Sequence, residues 1–105
     1  MLRIYGVMLD VLRWLREPLG RIERHDADLG RQLRRAATSV SLNIAEGSGS
    51  SGGIRKARYR TALGSAREVK ACLESAEALG YITRIDSPIS AGLLHVINVL
   101  VNQTV

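Results

Sequence analysis

Phenylalanine is absent from this chain of 105 residues, tryptophan occurs once, and aromatic residues make up 4% of it. A core must therefore come from aliphatic side chains and alanine. Proline appears only as Pro18 and Pro88, which leaves long stretches free of helix breakers, and the dominance of Ala, Leu, Arg and Ser favours helix over sheet. The single cysteine, Cys72, excludes an intrachain disulfide and suits a reducing compartment. His25 and His95 stand alone and Cys72 has no Cys or His at ligand spacing, so no metal site is expected. No grouping of serine, histidine and acid supports catalysis and no cofactor is implied, so the chain is not expected to be an enzyme. The opening run MLRIYGVMLDVLRWLRE carries Arg3, Asp10, Arg13 and Arg16, too many charges for the apolar part of a signal peptide, and a cytoplasmic location is expected. Length fits one domain, residues 1–105.

Charge is also missing from two stretches. Between Arg35 and Glu46 ten consecutive residues are uncharged although the pattern is helical, and a surface helix normally keeps one charged face. Leu29, Leu33, Ala36, Val40 and Ile44 form the stripe that faces the chain's own core. Thr38, Ser41, Leu42 and Ala45 lie opposite, small or apolar groups suited to a neighbouring helix, and are expected to form an oligomer interface. From Ser87 to Val105 there is again no charged side chain. A membrane span is weighed against Asn98, Asn102, Gln103 and His95 within a segment of marginal length, and a packed bundle helix is favoured.

The coarse reading is four helices. The first covers about Leu2 to Arg24, with Tyr5, Met8, Leu12, Leu15, Leu19 and Ile22 on one stripe, Ile4, Val7, Val11 and Trp14 on a second, and a bend or break expected at Pro18. Asp26 or Asp28 caps the second helix, which ends near Gly47. Ser48 to Gly53 is a turn, and the third helix runs from about Ile54 to Leu79 along the seam Tyr59, Ala62, Ala66, Val69, Leu73 and Ala76. Gly80 stops it, Tyr81 and Ile82 fold back over the bundle end, and Asp86-Ser87-Pro88 starts a fourth helix reaching about Gln103.

The net charge of +5 is unevenly spread. Nine basic and two acidic residues between Arg31 and Lys70 give +7, whereas the rest of the chain sums to −2. Positive charge gathered in the middle suits a polyanion partner. Lys56, Arg60 and Arg67 project in a narrow arc of the third helix, Lys70 lies further round, and Arg31 and Arg34 extend the basic surface onto the second helix. Gly47-Ser48-Gly49-Ser50-Ser51-Gly52 spells a dinucleotide fingerprint, but a helix precedes it where a strand is required, and no P-loop lysine follows. Backbone N–H groups there, with Arg55 and Lys56, offer only a nonspecific phosphate contact. No base-reading motif is visible, so any preference should follow shape or backbone.

A polar line, Gln32, Ser39, Asn43 and Glu46, borders the core stripe of the second helix and can fix helix register through hydrogen bonds. Glu46 is expected to pair with Arg35 or Arg58. Ala62, Gly64 and Ser65 leave little bulk on the third helix, so another backbone can approach, and Ser65-x-x-Glu68 reads as polar pairing within and between helices.

Arg34-Arg35-Ala36-Ala37-x-Ser39-Val40-x-x-Asn43-Ile44-Ala45-Glu46-Gly47, followed by Ala62-x-Gly64-Ser65-x-x-Glu68 and Leu79-Gly80-Tyr81-Ile82, resembles the proteins encoded in 23S ribosomal RNA intervening sequences. Their superfamily includes the accessory variability determinant of diversity-generating retroelements. The resemblance implies an all-α, up-and-down four-helix bundle assembling as a homopentamer with a central channel. In the retroelement branch the pentamer is basic, binds nucleic acid and associates with a reverse transcriptase; Asn43-Ile44-Ala45-Glu46-Gly47 is the motif of the other branch. Tyr59 stands where phenylalanine is common, and the turn before the third helix is unusually rich in Gly and Ser. The expected function is a noncatalytic homo-oligomer that binds RNA or DNA through its basic middle. The alternative is a structural or protein-interaction scaffold, such as a partner of a reverse transcriptase.

Overall fold

The computed structural model describes residues 3–105, and they form four helices, α1 (Ile4–His25), α2 (Ala27–Ser48), α3 (Gly52–Ala78) and α4 (Ser87–Thr104). Leu2, expected to open α1, lies outside the described residues. Each helix packs chiefly on its chain neighbours, and α1 closes the ring against α4. The result is an antiparallel, up-and-down bundle measuring 42 × 24 × 21 Å. Its length is that of α3, since 27 residues at about 1.5 Å per residue span about 40 Å.

The buried stripe of α1 is drawn from both expected strips: Ile4, Met8, Val11, Leu15, Pro18 and Ile22 are buried, while Trp14 is 45% exposed. Of the bend or break expected at Pro18, the break does not occur: α1 continues through it, and the buried proline adds apolar burial where the Trp14 carbonyl loses its N–H partner. On α2, Leu33, Ala36, Val40 and Ile44 are buried and Leu29 is half-buried. All six seam residues of α3 are buried, joined by Leu63 and Cys72.

One residue separates α1 from α2. The backbone N–H of Asp26 closes α1 on the Ile22 carbonyl at 2.8 Å, and its Oδ1 accepts the Leu29 N–H at 3.0 Å, capping α2. Gly80, at φ +79°, ends α3 with the Tyr81 N–H on the Ala76 carbonyl and the Gly80 N–H on the Glu77 carbonyl, the Schellman arrangement that a left-handed residue makes. Ile82 is then buried, and Tyr81 stacks on His25 with ring centroids 5.3 Å apart. This stack ties the two connections at one end of the bundle together.

Gly47 does not stop α2, which runs on to Ser48; it is a buried point of close approach to α3. A Cβ at Gly47 would fall 2.5 Å from Tyr59 Cε1 and 2.6 Å from Cδ1, so only a residue without a side chain lets the ring lie there. The intervening turn is accordingly short, and α3 begins at Gly52 rather than Ile54. Replacing Gly47 by Ala should lower unfolding free energy by about 1–3 kcal/mol, the usual range for overpacking. Gly64, whose Cβ would meet nothing within 4 Å, should instead gain up to about 1 kcal/mol as Ala through helix propensity. Urea unfolding of the two variants checks both signs.

Candidate nucleic-acid interface

The site residues divide among three places on α2 and α3. The first is the seam between them. Ser39 Oγ and Ser65 Oγ are 2.8 Å apart, and Asn43 Nδ2 donates to the Ser39 carbonyl at 2.9 Å and to Ser39 Oγ at 3.2 Å. Two turns along α2 from Ser39, and two turns back along α3 from Ser65, Glu46 Oε2 meets Arg58 Nε at 3.2 Å. Arg58, not Arg35, is therefore the partner of Glu46. These polar bonds share one antiparallel register, as expected of a polar line beside an apolar stripe. Gln32 lies on the same flank, but its amide donates to Asp28 Oδ2 at 2.8 Å, within α2.

The second place is the outer face of α2. Thr38 is exposed, Leu42 is 56% exposed and Ala45 is half-buried. Ser41 is a correction to the expected interface set: it is 6% exposed and its hydroxyl donates to the Thr38 carbonyl at 3.0 Å, so it belongs to the chain's own core. Its polar group is satisfied inside the helix, which permits burial.

Third come the cations, and here the structure separates residues that the sequence placed on one surface. Arg31 pairs with Asp28 at 2.6 Å, and Arg34 Nη2 donates to both carboxylate oxygens of Glu23 on α1, at 2.9 and 3.0 Å. Exposed pairs of this kind contribute at most about 1 kcal/mol, but they cancel the local charge on that flank of α2. Arg55 reaches back to the end of α2, donating from Nε to the Gly47 carbonyl at 3.0 Å and from Nη2 to the Ser48 carbonyl at 3.4 Å. It is a cap on α2 rather than part of a phosphate cradle, as basic side chains near helix C-termini often are.

Lys56, Arg60, Arg67 and Lys70 form no ion pair with any acid among the described residues. At about 100° per residue they fall within an arc of about 80° on α3. Lys70 lines the groove toward α4 beside Glu74, Leu93 and Leu94. Arg35 and Glu68 also have no ion partner among the described residues; they line the groove on the other flank of α3 with Gln32, Ala36, Ser39 and Ser65. The basic strip and this polar groove thus flank the outer face of α3.

The titration behaviour follows burial. Cys72 is buried and its thiol is pushed above its ordinary value, first by desolvation and then by the Glu68 carboxylate. It is therefore a core thiol of low reactivity. Tyr81 is raised by desolvation, then by the charge of Asp26 and the hydrogen bond its hydroxyl donates to Asp26 Oδ2 at 3.4 Å. Among the described residues no group of three or more His, Cys, Asp and Glu is placed to hold a metal ion, and no helix is long and apolar enough to cross a membrane.

Sequence reading did not find the Arg34 to Glu23 bond, the cap made by Arg55, or the convergence of Arg35 with Glu68. For Arg55 a signal existed, a cation placed just beyond a Gly-marked helix end. The other two depend on which helices become neighbours.

The family model for the 23S rRNA-intervening sequence protein matches residues 15–100, from the middle of α1 almost to the end of α4. No curated protein and no solved structure matches the chain.

A double-mutant cycle on Ser39→Ala and Ser65→Ala should give a coupling of about 0.5–1.5 kcal/mol in urea unfolding. Strict additivity would show that the hydroxyl bond does not hold the seam.

Proposed function

The chain belongs to the family of 23S rRNA-intervening sequence proteins, and from that premise we propose that it is a noncatalytic, cytoplasmic homo-oligomer that binds the backbone of RNA or DNA through the basic strip of α3. The observation that carries this reading is the strip itself. Lys56, Arg60, Arg67 and Lys70 have no acid partner among the described residues, in a segment of charge +7 within a chain of +5. Cations left without acids keep the field that attracts phosphates. Arg31 and Arg34 are secondary, because a phosphate must displace Asp28 or Glu23 to reach them.

Assembly fits the outer face of α2, where Leu42 stands 56% exposed between Thr38 and Ala45. A pentamer is the subunit number the family resemblance suggests. Repetition of the strip in a ring turns modest contacts per chain into tight binding.

A second reading, a protein-interaction scaffold such as a partner of a reverse transcriptase, is favoured by α4. Its outer side carries no charge and exposes Leu94 at 60% and Val101 at 36%. The two readings separate in one experiment. Fluorescence anisotropy with structured RNA, duplex DNA and single strands across a salt series should show binding that weakens steeply with salt, with oligomer mass followed by light scattering in the same buffers. Combined Lys56→Glu, Arg60→Glu and Arg67→Glu should abolish binding with the mass unchanged, and each single change to Ala should flatten the log–log salt slope by about 0.7–0.9. Leu42→Glu should reduce the mass. An intact oligomer that binds none of the ligands at low salt favours the scaffold.

A further inference from the structure

The groove between α2 and α3 holds an opposite-charge pair that is not joined. Arg35 from α2 and Glu68 from α3 both line it, both are exposed, and no ion pair within 4.0 Å connects them to each other or to another residue among those described. Glu68 is set on the α2 side of α3, since it lines the groove together with Gln32, Arg35 and Ser39 of α2. Ala36 and the bonded pair Ser39 and Ser65 complete the lining. Gln32 donates its amide N–H to Asp28, which leaves its carbonyl oxygen as an acceptor. The groove is polar and open to solvent on one side, with a volume of about 400 Å³.

We propose that this groove reads an unpaired guanine base of RNA, with Arg35 on its Hoogsteen edge and Glu68 on its Watson–Crick edge; the inference rests on the nucleic-acid reading above. A guanidinium fork matches two acceptors side by side, and guanine offers O6 and N7. A carboxylate only accepts, and guanine offers it N1–H and the N2 amino group along its Watson–Crick edge. Adenine, cytosine and uracil each lack either the double acceptor edge or the double donor edge. In a duplex the Watson–Crick edge is occupied, so the groove selects a loop or single strand, where proteins read RNA bases. The α3 strip lies about one helix width away, about 10–12 Å, on the flank where the phosphates of the same strand are held. If the two side chains close on each other when the groove is empty, an exposed ion pair of this kind is too weak to exclude a ligand.

The test compares uridine-rich single-stranded RNAs of equal length that carry one central guanosine, adenosine, inosine or 7-deazaguanosine, by anisotropy at fixed salt. The wild-type protein should prefer guanosine over adenosine about tenfold, the discrimination that a good bidentate contact gives. Loss of the N2 amino group in inosine, or of N7 in 7-deazaguanosine, should remove most of that preference. Glu68→Gln should erase the distinction between guanosine and inosine, and Arg35→Lys, which keeps the charge and loses the fork, that between guanosine and 7-deazaguanosine. Both side chains are at the surface, and unchanged helical circular dichroism confirms that the variants fold. Equal affinity for all four RNAs overturns this inference and leaves backbone binding standing; no binding to any RNA overturns both. A drop in oligomer mass in either variant with base preference unchanged makes the groove a contact between copies and also overturns it.

Discussion

Gly47 lets the ring of Tyr59 lie against the backbone of α2, and the rest of the bundle is aligned by that contact. The buried ring brings α2 and α3 close at the turn end, and its hydroxyl, 3.1 Å from Ser48 Oγ, is satisfied where it lies. From there the register is carried along the seam by Glu46 with Arg58 and by Ser39 with Ser65. A slip of one residue would remove these bonds and rotate the α3 stripe out of the core. No buried side-chain polar atom among the described residues lacks a partner, so the polar line adds specificity without a desolvation penalty. The α1 and α4 helices complete the ring through a second close approach, Gly92, where a Cβ would fall 2.6 Å from Val11 Cγ2.

The same register decides what the surface presents. It places the polar groove on one flank of α3 and the unpaired cations on the other, and it leaves the acids of α1 and of early α2 beside Arg31 and Arg34. Of the seven basic residues that the sequence assigned to nucleic acid, Arg31 and Arg34 are paired with acids and Arg55 caps α2, which leaves Lys56, Arg60, Arg67 and Lys70 without an ion pair or a capping role among the described residues. The functional reading thus concentrates on one helix, with Arg35 and Glu68 offering chemistry distinct from simple phosphate attraction.

Much of the fold was legible because it depends on local signals. The three-and-four spacing of the α3 seam, the Asp26 cap, the stop at Gly80 and the start at Ser87 each rest on residues within a few positions of one another. Pro18 does not break α1, which was not legible beforehand because proline's backbone cost is visible in sequence while the burial that offsets it is not. Ser41 was misread for a related reason: α2 is wrapped by α1 on the side where Ser41 lies, and a small hydroxyl bonded within its own helix suits either environment. Gly47 looked like a helix stop because Gly often marks one, whereas its role comes from an aromatic ring on another helix. For the candidate site, residue types were legible and their pairing was not, since Arg34 with Glu23 and Arg35 with Glu68 become neighbours only when helices pack.

The most direct measurement is a map of amide chemical shifts in the labelled protein as single-stranded RNA is added at low salt. The account predicts the largest changes on α3 around Lys56, Arg60, Arg67 and Lys70 and across the α2 and α3 groove at Arg35, Ser39, Ser65 and Glu68, with α1 little affected. Changes confined to α4 around Leu94 and Val101, or to α1, would contradict it.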